Sequence, residues 1–502
     1  MPSPLPSPAP HRAVPLVALA ALAVLLVQAT AQATFADPDL WHEMALAREA
    51  LRIGRLPLDD PFAFTPTVHP AVHHEWGTGF LLYFVATRAG SAGLLALTYA
   101  VAIAIGVAGV AAARRAGAGL PVLCSLAPIP LLLVQIGFSA LRAQMLTLLF
   151  TAVLLAFLAA DRRGRRGWVL PWLALHVLWV NLHGGFVVGL GFLWLHILEQ
   201  RARRAPCRHL LAAGLAAPLF ALVNPYGPRY LSYLARALLL DRSLIPEWAP
   251  VWHAFLPLVA VYAFSLFVAG YAAWRAGPAR LPGLPLVAAT AAAALLHQHH
   301  LSIYAVTWLA LVPAHLQGTA LGGALERLWG RRPRLTAGFW GALGAAGLAT
   351  LPLASPLRLE LPANPGDHRL LLYPVGAVEH LAAAGFRGNL VTPFAAGAFV
   401  AWKLHPAVRI SLDGRYEVAF PPGAIEEHHT LYAAAPGWRE ILACLAPDAV
   451  LVPADAPLAA EIAGLEGWAI SYRDDAYLLA VPAAGAAPAV DRRGQRLTGR
   501  FP

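Results

Sequence analysis

The chain has 502 residues, of which 58% are hydrophobic and 13% charged, with a formal net charge of +10 and a mean hydropathy of +0.59. So little charge cannot cover the surface of a soluble domain this size, which excludes a water-soluble globular enzyme. The positive balance does not point to nucleic acid, because the arginines stand in short clusters between apolar runs and read as orientation signals for membrane insertion.

In chain order, the Pro/Ser-rich start, residues 1–13, reads as a short disordered tail. Apolar runs then predict spans near 14–33, 91–113, 118–137, 144–160, 168–182, 185–199, 210–224, 255–274, 282–298, 300–314 and 336–356. That makes about eleven transmembrane helices, since a hydrocarbon layer of roughly 30 Å demands runs of this length. The clusters "ARRAG", "DRRGRRG", "RARRAPCRH", "RAGPAR" and "ERLWGRRPR" occupy every second connection. The positive-inside rule therefore places them, with the N-terminus, in the cytoplasm. A cleaved signal peptide ending at "AQA" is the alternative for the first run. Residues 14–356 are expected to form the all-α polytopic membrane domain, and 357–502 a C-terminal periplasmic α/β domain. In that second domain "VRISLD" and "DAVLVP" read as buried strands, and "PVGAVEHLAAAG" and "GWREILACLA" as amphipathic helices. Cys124, Cys207 and Cys444 are too few for a disulfide framework and read as unpaired thiols.

The first outer loop, residues 34–90, is too patterned for a simple link. "WHEMALAREALRIG" has helical spacing and ends at Gly54, a helix stop. "EWGTGFLLYFVATRAG" is expected to lie along the membrane surface as a separate interfacial helix. Asp37 and Asp39 flank Pro38 beside the membrane. Carboxylates so placed can bind a divalent cation such as Mg or Mn, or take a proton from a hydroxyl nucleophile. Glu43, Glu49 and Asp59 read instead as surface acids balancing Arg48, Arg52 and Arg55. "HPAVHHEW" gathers His69, His73, His74 and Glu75; its spacing lacks a regular zinc pattern, and substrate or phosphate contact is the preferred reading.

Other outer connections carry further candidates. Arg142 can offer paired donors to a phosphate, or snorkel to the interface. Asn181 and His183 in "NLHGG" read as a cavity rim or a tight turn at Gly184 and Gly185. Asn224 and Tyr226 in "NPYG" read as a turn or a substrate contact. Glu247 and Trp248 can hydrogen-bond and stack on a sugar, although an interfacial anchor also explains the tryptophan. "HQHH" places His297, His299 and His300 where a phosphate contact is possible. Asp413, Arg415 and Glu417 in "LDGRYE" read as a loop salt bridge, or as acceptor recognition.

"DPDLWHEMALAREALRIGRLPLDDPFAFT" followed by "HHEWGTGFLLYFV" resembles the first periplasmic loop of bacterial multispan proteins in the GT-C glycosyltransferase superfamily. "LRAQMLTLLF", "WVNLHGGFVVG", "NPYGPRYL" and "IPEWAP" follow in the order of one bacterial branch. "GAFVAWKLHPAVRISLDGRYEVAF" is similar to that branch's C-terminal extension. The superfamily includes protein O-mannosyltransferases and lipid A aminoarabinose transferases. The resemblance implies transfer of a sugar from a polyprenyl-phosphate carrier to a glycan, lipid or protein acceptor. The setting would be the periplasmic face of a bacterial inner membrane, in envelope or exopolysaccharide assembly. It makes Asp37 the general base or metal-anchoring acid, Asp39 its neighbour and Glu75 a candidate second carboxylate; Trp41, His42 and His74, beside them in the same loop, are read as substrate contacts. A lipid-linked saccharide flippase and a non-catalytic assembly protein are the competing readings. The gathering of polar motifs on one face argues for the transferase.

Overall fold

The computed structural model describes residues 13–31, 35–135, 142–240, 242, 245–354, 359–367, 371–484, 488–499 and 501. The predicted tail lies outside them, Ala13 excepted. The chain divides into two compact units: 1–34, 95–224 and 241–358 form one, and 35–94, 225–240 and 359–502 the other. The long first loop, expected as part of the membrane domain, thus belongs to the same unit as the C-terminal domain.

The first unit is helical. Among the described residues, four helices are long and apolar enough to cross a membrane: Ala13–Ala31, Trp76–Ala116, Gln144–Asp161 and Leu256–Ala276. Most other expected spans form shorter helices, among them Val169–Leu182, Phe186–Ala202, Arg208–Phe220, Leu284–Leu296 and Leu301–Leu316. The run expected over 118–137 breaks into Leu120–Leu126 and Pro128–Leu133, where Pro128 and Pro130 interrupt the hydrogen-bond ladder. Leu170, Leu215, Leu219, Phe267, Trp274 and Leu353 are all more than half exposed. An apolar mantle of this extent fits lipid rather than water.

The expected surface helix and the span after it are one element in the structure. Trp76–Ala116 is a 41-residue helical run broken at Gly90, with φ 60° and ψ −156°. Only glycine takes that backbone conformation readily, and no proline lies nearby to end the helix.

At the arginine-rich helix ends of the first unit, a polar network is buried. Asp161 accepts hydrogen bonds from His196 Nε2 at 3.0 Å, His209 Nε2 at 2.6 Å and Trp168 Nε1 at 3.1 Å. Glu199 accepts from Arg162 at 2.9 Å, Arg203 at 3.1 Å and the Gly283 amide at 2.8 Å. These bonds tie the ends of Gln144–Asp161, Phe186–Ala202 and Arg208–Phe220 together.

The second unit is built on a six-stranded sheet: β1 (Gly388–Val391), β2 (Val408–Ile410), β3 (Ala449–Pro453), β4 (Trp468–Arg473), β5 (Tyr477–Pro482) and β6 (Val490–Asp491), in the order β2-β1-β3-β5-β4-β6. Strands β1, β2 and β3 run parallel, and β5 is antiparallel to β3 and β4. "VRISLD" supplies β2 and "DAVLVP" β3, and the two predicted helices form Val375–Ala383 and Trp438–Leu445. The first loop adds to the outer edge of β2. Phe64 N donates to Ile410 O and Ile410 N to Phe62 O, each at 2.9 Å. Covering an edge in this way removes unpaired backbone groups that would otherwise invite another chain.

The helix Pro38–Ile53 begins where Asp37 caps it, its carboxylate accepting from Asp39 N at 2.9 Å. Pro38, at the first position, has no N–H to leave unsatisfied. The helix ends at Gly54, which is left-handed with φ 75°. Its buried face packs on the helix Phe394–Leu404.

Candidate functional site

The candidate residues fall into two groups, one in each unit. In the second unit, Asp37, Asp39, Trp41 and His42 come from the start of Pro38–Ile53. His74 and Glu75 immediately precede Trp76–Ala116, and Tyr226 lies just before the helix Arg229–Leu239.

The ligand atoms of His42, Glu43 and Glu75 lie within 4.8 Å of one another. Gly79 makes this approach possible. It follows Glu75 by one helical turn, its N–H donating to Glu75 O at 3.0 Å. A Cβ at Gly79 would stand 2.6 Å from the Glu43 carbonyl oxygen. His74 Nε2 is 3.2 Å from Glu75 Oε1, and His74 Nδ1 is 2.7 Å from Tyr233 Oη. With the Nε2 side of the ring turned to the carboxylate, Nδ1 is left to accept the phenol proton. Tyr233, His74 and Glu75 then form one oriented chain.

Glu43 was expected at the surface, and the structure corrects this: it is 3% exposed. Burial raises its carboxyl well above the ordinary range, and the charges of Glu75, Asp39 and Asp37 push the same way. The clue in the sequence is its helical position. With Leu40, Met44 and Ala47 it occupies the i, i+3, i+4, i+7 stripe that packs inward. Burial also lowers His42, against the opposing charges of Asp39, Asp413 and Glu75.

Two of the expected residues have structural roles as well. Asp37, expected as the base or metal anchor, is 7% exposed and uses an oxygen as the helix cap. The close metal-ligating group among the described residues contains neither Asp37 nor Asp39. Trp41, expected to contact substrate, is fully buried, with ring centroids 5.1 Å from Phe399, 5.8 Å from Tyr373 and 5.5 Å from Phe501. An indole enclosed by three aromatic rings is core. Asp39 and His42 remain partly exposed. Tyr226 is buried against the backbone of His73.

In the first unit, Arg142 forks onto Glu247, Nη1 to Oε2 at 2.8 Å and Nη2 to Oε1 at 3.4 Å. His299 Nδ1 is 3.5 Å from Glu247 Oε1, within ion-pair reach although not aligned for a hydrogen bond. Burial would raise Glu247, but His299 and Arg142 outweigh it and hold the carboxyl well below its usual range. Trp248 stacks on His299 with centroids 4.9 Å apart and 13° between planes. His300 stands edge-on to Trp248 at 5.6 Å, and the Arg242 guanidinium sits 4.6 Å from the Trp248 ring centroid. Sequence distance hid this convergence of "LRAQ", "IPEWAP" and "HQHH". A phosphate meeting Arg142 must compete with Glu247, and a sugar stacking on Trp248 must compete with His299.

Asn181 and Asn224 have turn-locking roles. Asn181 Nδ2 donates to Val177 O and Val223 O, both at 2.8 Å, and Asn224 Nδ2 to Ala221 O at 2.7 Å. His183 Nδ1 accepts from Gly185 N at 2.9 Å and faces Thr147 Oγ1 at 2.7 Å. Trp179 Nε1 donates to that hydroxyl at 2.8 Å. The neutral tautomer of His183 therefore carries its proton on Nε2.

Comparison with protein-family profiles and with curated proteins finds no match for this chain.

Proposed function

We propose that the chain is a membrane glycosyltransferase that moves a sugar from a polyprenyl-phosphate carrier to an acceptor hydroxyl at the non-cytoplasmic face. What carries this reading is the convergence of His42, Glu43 and Glu75 beside the partly exposed Asp39, in a chain with helices apolar enough to cross a membrane. The order of motifs resembling the GT-C superfamily supplies the substrate class.

In this reaction the acceptor oxygen attacks the anomeric carbon, and the bond from that carbon to the phosphate oxygen breaks. Polyprenyl phosphate leaves with the electron pair. Asp39 takes the hydroxyl proton, because it is accessible and Asp37 is committed to the helix cap. Glu75 is held by His74 to orient the acceptor. A divalent cation, if bound by His42, Glu43 and Glu75, would supply charge neutralisation for the departing phosphate.

The test is the full chain in nanodiscs with a radiolabelled polyprenyl-phosphate sugar and membrane extract as acceptor. Release of carrier phosphate with label in the acceptor is expected. Asp39→Asn should lower turnover by about 100-fold or more. Asp37→Asn should keep most of it, because asparagine caps a helix as well as aspartate. Movement of the lipid-linked sugar across the bilayer without transfer would replace this reading with a flippase.

A further inference from the structure

The second unit contains several buried acids, and their surroundings differ in one respect. Asp60 accepts from the amides of Phe62 at 2.9 Å and Ala63 at 2.7 Å and pairs with Arg415. Glu49 is forked by Arg52 at 2.7 and 2.6 Å. Asp474 accepts from Tyr472 Oη at 2.7 Å and from the amides of Ala476 and Tyr477 at 2.8 and 2.7 Å. Asp413 is bound by Arg415. Glu43 is equally buried, yet neither of its carboxylate oxygens has a hydrogen-bond partner. The charged groups set against it are carboxylates, Glu75 first, close enough to share a proton with it, then Asp39 and Asp37. His42 Nδ1 is buried without a partner as well.

Two carboxylates this close and away from water repel each other unless they share a proton or a cation lies between them. A cation between the two removes the repulsion. We propose that His42, Glu43 and Glu75 bind a divalent transition-metal ion, with zinc the best match to one imidazole nitrogen and two carboxylate oxygens. Three protein ligands leave a coordination position for water or an incoming oxygen, as in catalytic zinc sites rather than structural ones. The hydrogen bond between Tyr233 and His74 and the approach of His74 Nε2 to Glu75 at 3.2 Å provide the outer support that orients a ligating carboxylate. This set differs from the Asp37 and Asp39 pair expected from the sequence. Use of the open position by the donor phosphate rests on the transferase reading, whereas binding of the ion does not.

The full chain in detergent, stripped with a chelator and dialysed at pH 7.5, is titrated with Co2+ and then with Zn2+. One equivalent of Co2+ should bind with visible d–d absorption, and Zn2+ should displace it. His42→Ala and Glu75→Gln should each weaken binding by about 10-fold or more. Glu43→Gln, nearly isosteric, should do the same while the melting curve shows a folded chain. Absence of saturable binding by the unmodified protein overturns the proposal. So does equal binding by a folded Glu43→Gln/Glu75→Gln variant; the two acids would then share a proton instead. Ion binding without sugar transfer overturns the transferase reading alone, and sugar transfer by a chain that binds no ion overturns this one alone.

Discussion

Arg415 and Asp60 are separated by 355 residues of sequence and joined by a hydrogen bond from Nη1 to Oδ2. Their side chains are 2% and 0% exposed. Arg415 also donates from Nε to both oxygens of Asp413 at 3.0 Å. The loop salt bridge read in "LDGRYE" therefore includes a third member, from the first loop. Burial would raise Asp60, but Arg415 and the Ala63 amide hold it below the usual carboxylate range. Both acids are thus matched by one fixed cation.

Replacing Arg415 with methionine leaves two carboxylates buried without a countercharge. A loss of about 3–5 kcal/mol of stability is expected. It should appear as a markedly lower melting temperature of the full chain in detergent, followed by tryptophan fluorescence. An unchanged melting temperature would refute the account of the triad.

Gly79→Ala tests the approach that joins Glu43 to Glu75. The added Cβ would meet backbone, the Glu43 oxygen at 2.6 Å and carbon at 3.2 Å, so neither side can yield by a rotamer change. A cost of about 1–3 kcal/mol is expected, together with weaker Co2+ binding. Gly270→Ala, where nothing lies within 4 Å, should change neither.

Trp41→Ala should cost about 3–5 kcal/mol, as truncation of a fully enclosed aromatic does. Because the ring is core, the remaining folded protein should, on the proposed transferase reading, keep its KM for the sugar donor. A large rise in KM at normal thermal stability would return Trp41 to the substrate site.

His428 makes the second unit acid-sensitive. Its Nε2 lies 3.0 Å from the Phe394 amide as acceptor, and burial lowers its pKa to about 4, with the Thr392 carbonyl opposing. The unfolded chain, with an ordinary value near 6.5, binds the proton first. Stability is therefore complete above about pH 6.5 and falls as pH drops toward 4, by about 3 kcal/mol in all. Melting curves from pH 7.5 to 4.5 should show a smaller acid loss in His428→Gln than in the unmodified chain. Equal losses would sink this assignment.

The sequence made local features legible wherever neighbours in the chain decide them. Gly54 ends its helix, and "VRISLD" and "DAVLVP" become strands, because periodicity and stop signals act over a few residues. The Asp37 cap used the same local code, yet a carboxylate beside Pro38 suits a cap and a catalytic acid equally. Arg142 with Glu247, or Glu43 with Glu75, depend on distant segments meeting, which no spacing reveals. Asp161, His196 and Glu199 were hidden for another reason. They sit beside arginine clusters whose charge has a sufficient explanation in membrane orientation, so nothing drew attention to the acids that offset them.

The strip of first loop laid along β2 also sets an order of events during biosynthesis. Its anchor, Asp60, is made 355 residues before Arg415, a gap of roughly 20–70 s at typical elongation rates. Through that interval the strip has no sheet to join and its aspartate no cation to meet. A chaperone or the insertion machinery would have most reason to hold this stretch, and a nascent chain halted before β2 would present it to proteases.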